Sequence, residues 1–94
     1  MNPLKSFFSR SAPVELVLYS RPDCPLCDEM LEELERSRTR SKWKLRVVNI
    51  ETAPELEALH GRSIPVLEIA GKLAFKGNLT VLDFERKFAR LTAL

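Results

Sequence analysis

Cys24 and Cys27 are the only cysteines of the chain, and two residues separate them in Arg21-Pro22-Asp23-Cys24-Pro25-Leu26-Cys27-Asp28. A C-x-x-C pair has two chemistries open to it, thiol–disulfide exchange and half of a zinc site. Structural zinc needs four ligands, and the chain adds only one histidine, His60, to its two cysteines. A tetrahedral site within one chain is therefore disfavoured, and no metal is expected. Inert packing of both thiols is also a poor account, because Asp23 and Pro25 flank Cys24 with polarity and a chain break. Redox exchange is the reading that remains.

The elements on either side give that reading its geometry. Upstream, Val14-Glu15-Leu16-Val17-Leu18-Tyr19-Ser20 is aliphatic and β-branched, the pattern of a buried strand. Downstream, Cys27, Met30, Leu31 and Leu34 recur at helical spacing with Glu29, Glu32 and Glu33 between them. Pro25 suits a first helical position, where its missing N–H would have had no partner. Cys24 then falls at the N-cap, where free N–H groups and the positive helix end favour a thiolate and lower its pKa. Cys27 falls on the apolar stripe, where burial keeps its thiol neutral. Arg21 favours the thiolate of Cys24, whereas Asp23 and Asp28 oppose it.

Length and composition narrow the class. Ninety-four residues with 45% hydrophobic and 30% charged content describe one small globular domain of ordinary soluble type. A net charge of +2 is too small to argue for nucleic acid. Two cysteines make no disulfide-built scaffold, and no apolar run approaches the roughly 20 residues of a membrane helix. Residues 1–13 hold Arg and Ser without acids, a faint likeness to an organelle-targeting segment. They lack the apolar stretch of a secretory signal. Residues 1–13 are read as a flexible tail, residues 14–94 as the domain, and the cytoplasm as the compartment.

Further along, Arg36-Ser37-Arg38-Thr39-Arg40-Ser41-Lys42 is a basic helix end and solvated loop, with Glu32 and Arg36 spaced for an ion pair. Trp43 to Ile50 reads as a second strand whose Trp43 packs a sheet edge. Thr52-Ala53-Pro54-Glu55 has the pattern of a capping box, with Leu56 and Leu59 the buried side of a short helix. Gly61 is suited to end that helix, and His60 is placed on its surface near the favourable end of the dipole. Ser63 to Ala70 reads as a third strand opened by Pro65. Gly71-Lys72 reads as a hairpin turn, and Leu73 to Lys76 as a fourth strand. Thr80 caps a last helix on Val81, Phe84, Phe88 and Leu91. Tyr19 is expected to pack rather than react. The order is βαβαββα, and a C-x-x-C opening a helix in a βαβ unit is a thioredoxin-like context.

The segment Leu18-Tyr19-Ser20-Arg21-Pro22-Asp23-Cys24-Pro25-Leu26-Cys27 resembles the active-site segment of glutaredoxins. Their usual form is tyrosine, a small hydroxyl residue, a basic residue, proline and C-P-Y-C. Ser63-Ile64-Pro65 resembles their Thr-Val-Pro, whose proline is cis and faces the cysteines. The element order also matches from Val14 to the C-terminus, so the resemblance implies an α/β thioredoxin/glutaredoxin-like fold with a four-stranded mixed sheet and three helices. It further implies that Arg21, Pro25, Ile64, Pro65 and one or both of Lys76 and Asn78 line a groove for glutathione or another disulfide substrate. Two departures stand out. Leu26 replaces the tyrosine, and Phe75-Lys76-Gly77-Asn78-Leu79 stands where Gly-Gly and acids hold the glutathione carboxylate.

The expected activity is a dithiol exchange with Cys24 as nucleophile and Cys27 as resolving thiol. Its partners would be a disulfide-containing protein or a glutathione mixed disulfide, with glutathione or a thioredoxin reductase as reductant. Glutathione would be a co-substrate, no cofactor would be tightly bound, and the protein would be a monomer. Two other readings stay open. One is a thioredoxin-fold binding module with spectator cysteines, and the other a glutathione-dependent iron–sulfur cluster carrier.

Overall fold

The structure is a computed structural model and describes residues 12–93. All but Ala12 and Pro13 of the expected tail lie outside the described residues. The chain runs β1 (Val14–Ser20), α1 (Pro25–Glu35), β2 (Trp43–Asn49), α2 (Pro54–His60), β3 (Val66–Ile69), β4 (Lys72–Lys76) and α3 (Val81–Thr92). Single 3-10 turns at Arg40–Lys42 and Ile50–Thr52 precede β2 and α2. The four strands form one mixed sheet in the order β2-β1-β3-β4. β1 pairs with β2 in parallel across the α1 crossover, and with β3 antiparallel.

Strand alternation explains the layers. Leu16 and Leu18 of β1 stand opposite Ile69 and Leu67 of β3, and all four are fully buried. With Met30, Leu34, Trp43, Phe84 and Phe88 they form the main core, which joins the sheet to α1 and α3. Val17 and Tyr19 point to the other face, where Tyr19 stacks on His60 of α2. The site-bearing strand is therefore central and covered on both sides. Such burial leaves the chain after Ser20 little freedom in where it emerges.

The cap of α3 forms as the sequence implies, with Thr80 Oγ1 accepting from the Asp83 N–H at 3.2 Å. The capping box of α2 does not. Thr52 belongs to the preceding 3-10 turn, and its hydroxyl donates back to the Asn49 carbonyl at 2.7 Å. Ala53 takes the N-cap position with no side-chain bond. Short helices tolerate rotation about their axes, and α2 has turned: Leu59 is 71% exposed and His60 is buried, the reverse of the expectation. The β3–β4 turn also shifts by one residue. Ala70 (φ 53°) and Gly71 (φ 79°) occupy its centre, the double left-handed pattern of a type I′ hairpin.

Candidate active site

β1 delivers the chain to a tight turn at Pro22-Asp23, where Asp23 is left-handed (φ 57°). Proline followed by a left-handed residue is the type II pattern, and aspartate tolerates that conformation better than most side chains. Cys24 follows as the N-cap of α1 in extended conformation, with Pro25 in the first turn. Its Sγ accepts a hydrogen bond from the Cys27 N–H at 3.2 Å, and its carbonyl takes the Asp28 N–H at 3.1 Å. Sulfur thus fills the position where serine or aspartate oxygen ordinarily caps a helix. Cys24 is half-buried, whereas Cys27 is only 2% exposed beneath it. Their Cα atoms lie 5.2 Å apart, and the two sulfurs are joined as a disulfide.

The other sequence-derived site residues divide into two groups. Arg21 is engaged by α2. Its guanidinium forms an ion pair with Glu57 of α2 and donates to the Gly61 carbonyl at 3.3 Å, while its buried Nε has no partner. Gly61 leaves room for Glu57, since a Cβ there would stand 2.5 Å from the Glu57 carbonyl oxygen and 2.8 Å from Oε1, the atom that holds Arg21. The His60 carbonyl then accepts the N–H groups of Ser63 (2.8 Å) and Ile64 (3.1 Å), fixing the turn into Ile64-Pro65. That peptide bond is cis. Because Tyr19 pairs with Val66, Pro65 arrives beside the end of β1, at the edge from which Cys24 departs. The Ile64 N–H is thereby taken up within the chain.

Pro65 also accepts the Gly77 N–H through its carbonyl at 2.7 Å, which ties β4 to the same edge. Lys76 lies exposed at the end of β4, opposite Val66. Asn78 lines a cleft of about 240 Å³ that includes Leu26, the exposed residue between the two cysteines. The sequence also paired Arg36 with Glu32. In the structure Arg36 is the C-cap of α1, and the tightened last turn sets it on Glu33 instead, at 2.7 Å.

Three supporting residues escape a reading of the sequence. Glu57 holds Arg21; the acid was visible, but its partner lies 36 residues away. His60 stacks on Tyr19 with ring centroids 4.2 Å apart, and only the i, i+4 spacing from Leu56 hinted at a buried face. Glu68 accepts from the Tyr19 hydroxyl at 3.4 Å. Burial first, and then the Glu68 carboxylate, push the Tyr19 phenol pKa up. Tyr19 thus stays neutral and packs, as its position implied. Among the described residues no three His, Cys, Asp or Glu side chains converge as metal ligands.

A central strand, a dithiol at the N-terminus of its following helix and a proline loop beside it define the thioredoxin fold in its glutaredoxin form. The family model described as Glutaredoxin-like domain (DUF836) matches residues 15–89, and the chain belongs to that family. Among solved structures it is similar to the XcR50 protein of X. campestris, with 30% identity, a TM-score of 0.65 and coverage of 84% of this chain and 97% of that one. Protein Ne2328 of Nitrosomonas europaea matches at 29% identity and TM-score 0.68, covering 81% and 92% of the two chains. Oxidised glutaredoxin 2 of Chlamydomonas reinhardtii shares the fold at 20% identity and TM-score 0.56, covering 94% of this chain and 87% of that one. No curated protein matches the sequence.

Proposed function

We propose that the protein is a thiol–disulfide oxidoreductase that works through Cys24 and Cys27. The observation that carries this reading is the asymmetry of the pair: Cys24 caps α1 within reach of solvent, and Cys27 is buried behind it. In the reduced protein the Cys24 thiolate attacks one sulfur of a substrate disulfide. One S–S bond breaks, a mixed disulfide forms and the first substrate thiolate leaves. Cys27, deprotonated in turn, attacks Cys24 Sγ and expels the second substrate thiolate, leaving Cys24–Cys27 oxidised. Two electrons pass to the substrate, and the two protons lost by the cysteines match the two its thiolates take up.

The helix end serves the first step. The Cys27 N–H and the dipole of α1 favour negative charge on Cys24 both when it attacks and when it leaves. Two glutathione thiols, or the dithiol of a reductase, return the pair to its reduced state. A cytoplasmic setting suits the cycle, since both systems keep thiols reduced there.

Trapping tests the mechanism. The Cys27→Ser protein, mixed with a peptide disulfide, should accumulate one covalent adduct on Cys24 by mass spectrometry, while Cys24→Ser accumulates none. Failure of Cys27→Ser to take an adduct from oxidised glutathione, cystine or peptide disulfides would make the cysteines spectators.

A further inference from the structure

Beside the dithiol, α1 and the loop ahead of α3 enclose the 240 Å³ cleft lined in part by Leu26, Glu29, Glu32, Glu33, Asn78 and Leu79. Leu26, Glu29 and Glu33 stand at i, i+3 and i+7, so they share one helix face that starts between the cysteines. Leu26 is 49% exposed and offers an apolar contact next to Cys24. The three carboxylates are not equivalent. Glu33 is committed: one oxygen accepts the Val81 N–H at 2.8 Å, and the other accepts from Arg36 at 2.7 Å. Glu29 and Glu32 are exposed and have no ion-pair partner among the described residues.

The start of α3, which would otherwise attract an anion, is in part occupied from within. Glu33 takes the Val81 N–H, the Thr80 side chain takes that of Asp83, and the Thr80 carbonyl takes that of Phe84 at 2.9 Å. An incoming carboxylate meets a carboxylate already in place and two uncompensated ones beside it. A cation meets the opposite. The whole chain carries a formal charge of +2, so any attraction for a cation belongs to this cleft and not to the overall field.

We propose that the cleft selects the substrate of the Cys24 exchange: a polypeptide disulfide flanked by a lysine or arginine, with its cysteine-adjacent backbone against Leu26 and its cation on Glu29 and Glu32. This selection rests on the thiol–disulfide reading and adds specificity to it. Glu29 and Glu32 act as specificity residues and take no part in the exchange itself. Substrates with acidic flanks, oxidised glutathione included, react more slowly because they bring carboxylates into an acidic cleft.

The test uses the reduced full chain and three short peptide disulfides, identical except for Lys, Ala or Glu beside the cystine. Disulfide exchange is followed by rapid acid quench and mass spectrometry. The lysine peptide should react about tenfold faster than the glutamate peptide at low salt, with the ratio shrinking as salt rises. In the Glu29→Gln/Glu32→Gln protein the ratio should fall toward one. Equal rates in the wild type, or a lysine preference that survives in the double variant, would overturn the selection while leaving exchange intact. No exchange with any peptide would remove the oxidoreductase reading, and the selection with it.

Discussion

At the scale of single residues the site is an arrangement of one sulfur against one N–H. Cys24 takes the capping position because Pro25 starts the helix and Asp23 supplies the left-handed turn before it. Asp23 is useful for its conformation and costly for its charge, since a neighbouring carboxylate disfavours a thiolate. Asn retains the left-handed tendency and loses the charge. Asp23→Asn is therefore expected to keep the fold and raise the thiolate fraction of reduced Cys24 at neutral pH. The ultraviolet absorbance of the thiolate across a pH titration measures it, and an unchanged midpoint would show that solvent screens the pair. The two cysteines and Pro25 were legible in the sequence, because local spacing determines their positions, whereas the cis Pro65 was implied by the glutaredoxin resemblance. The Arg21–Glu57 pair and the Tyr19–His60 stack were not, because they join residues brought together only when α2 packs on the sheet. Arg21, read in the sequence as a charge that favours the thiolate, also holds α2 through Glu57 and the Gly61 carbonyl.

At the scale of elements, α1 and α3 hold each other through reciprocal carboxylates. Glu33 of α1 caps the Val81 N–H of α3, and Glu85 of α3 accepts from the Arg38 N–H at 2.8 Å and the Ser37 hydroxyl at 2.9 Å after α1 ends. The Arg38 N–H first, and then the Ser37 hydroxyl, hold the Glu85 carboxyl below its usual range. A carboxylate depressed in the folded state adds stability above its unfolded pKa and loses it as pH falls through the folded value. Glu85→Gln should then lower the urea midpoint at about pH 7, and its gap from the wild type should narrow at acid pH as the carboxyl of the folded protein takes up its proton. A constant gap at both pH values would assign the loss to packing instead of charge. Periodicity revealed α1 and α3, whose apolar stripes run through several turns. It was weakest for α2, where seven residues leave the buried face to be decided by Tyr19 and Arg21 across the interface.

At the scale of the whole molecule, the functional edge depends on a core that is held largely from the opposite side of the chain. Phe84, fully buried, meets Trp43 edge-on at 5.9 Å and Phe88 at 5.7 Å, and so connects α3 to the edge strand β2. The sequence revealed this core in outline, since the strand order and helix stripes leave few ways to bury so many aliphatic residues. It did not show that Trp43 would be fixed by its Nε1–H on Thr39 Oγ1 at 3.0 Å, or covered by the Arg40 guanidinium at 4.4 Å. Removing the Phe84 ring leaves a cavity between α3 and β2, and such truncations cost about 3–5 kcal/mol. Domains of this size have about 5–15 kcal/mol in total, so Phe84→Ala should lose a large share of its stability. The dithiol turn is set by β1 and the N-terminus of α1, which Phe84 does not form. At low temperature the folded fraction of Phe84→Ala should therefore still close Cys24–Cys27, as counted by thiol titration after mild oxidation. Loss of the disulfide in protein that circular dichroism shows to be folded would mean that α3 positions the cysteines as well as covering the sheet.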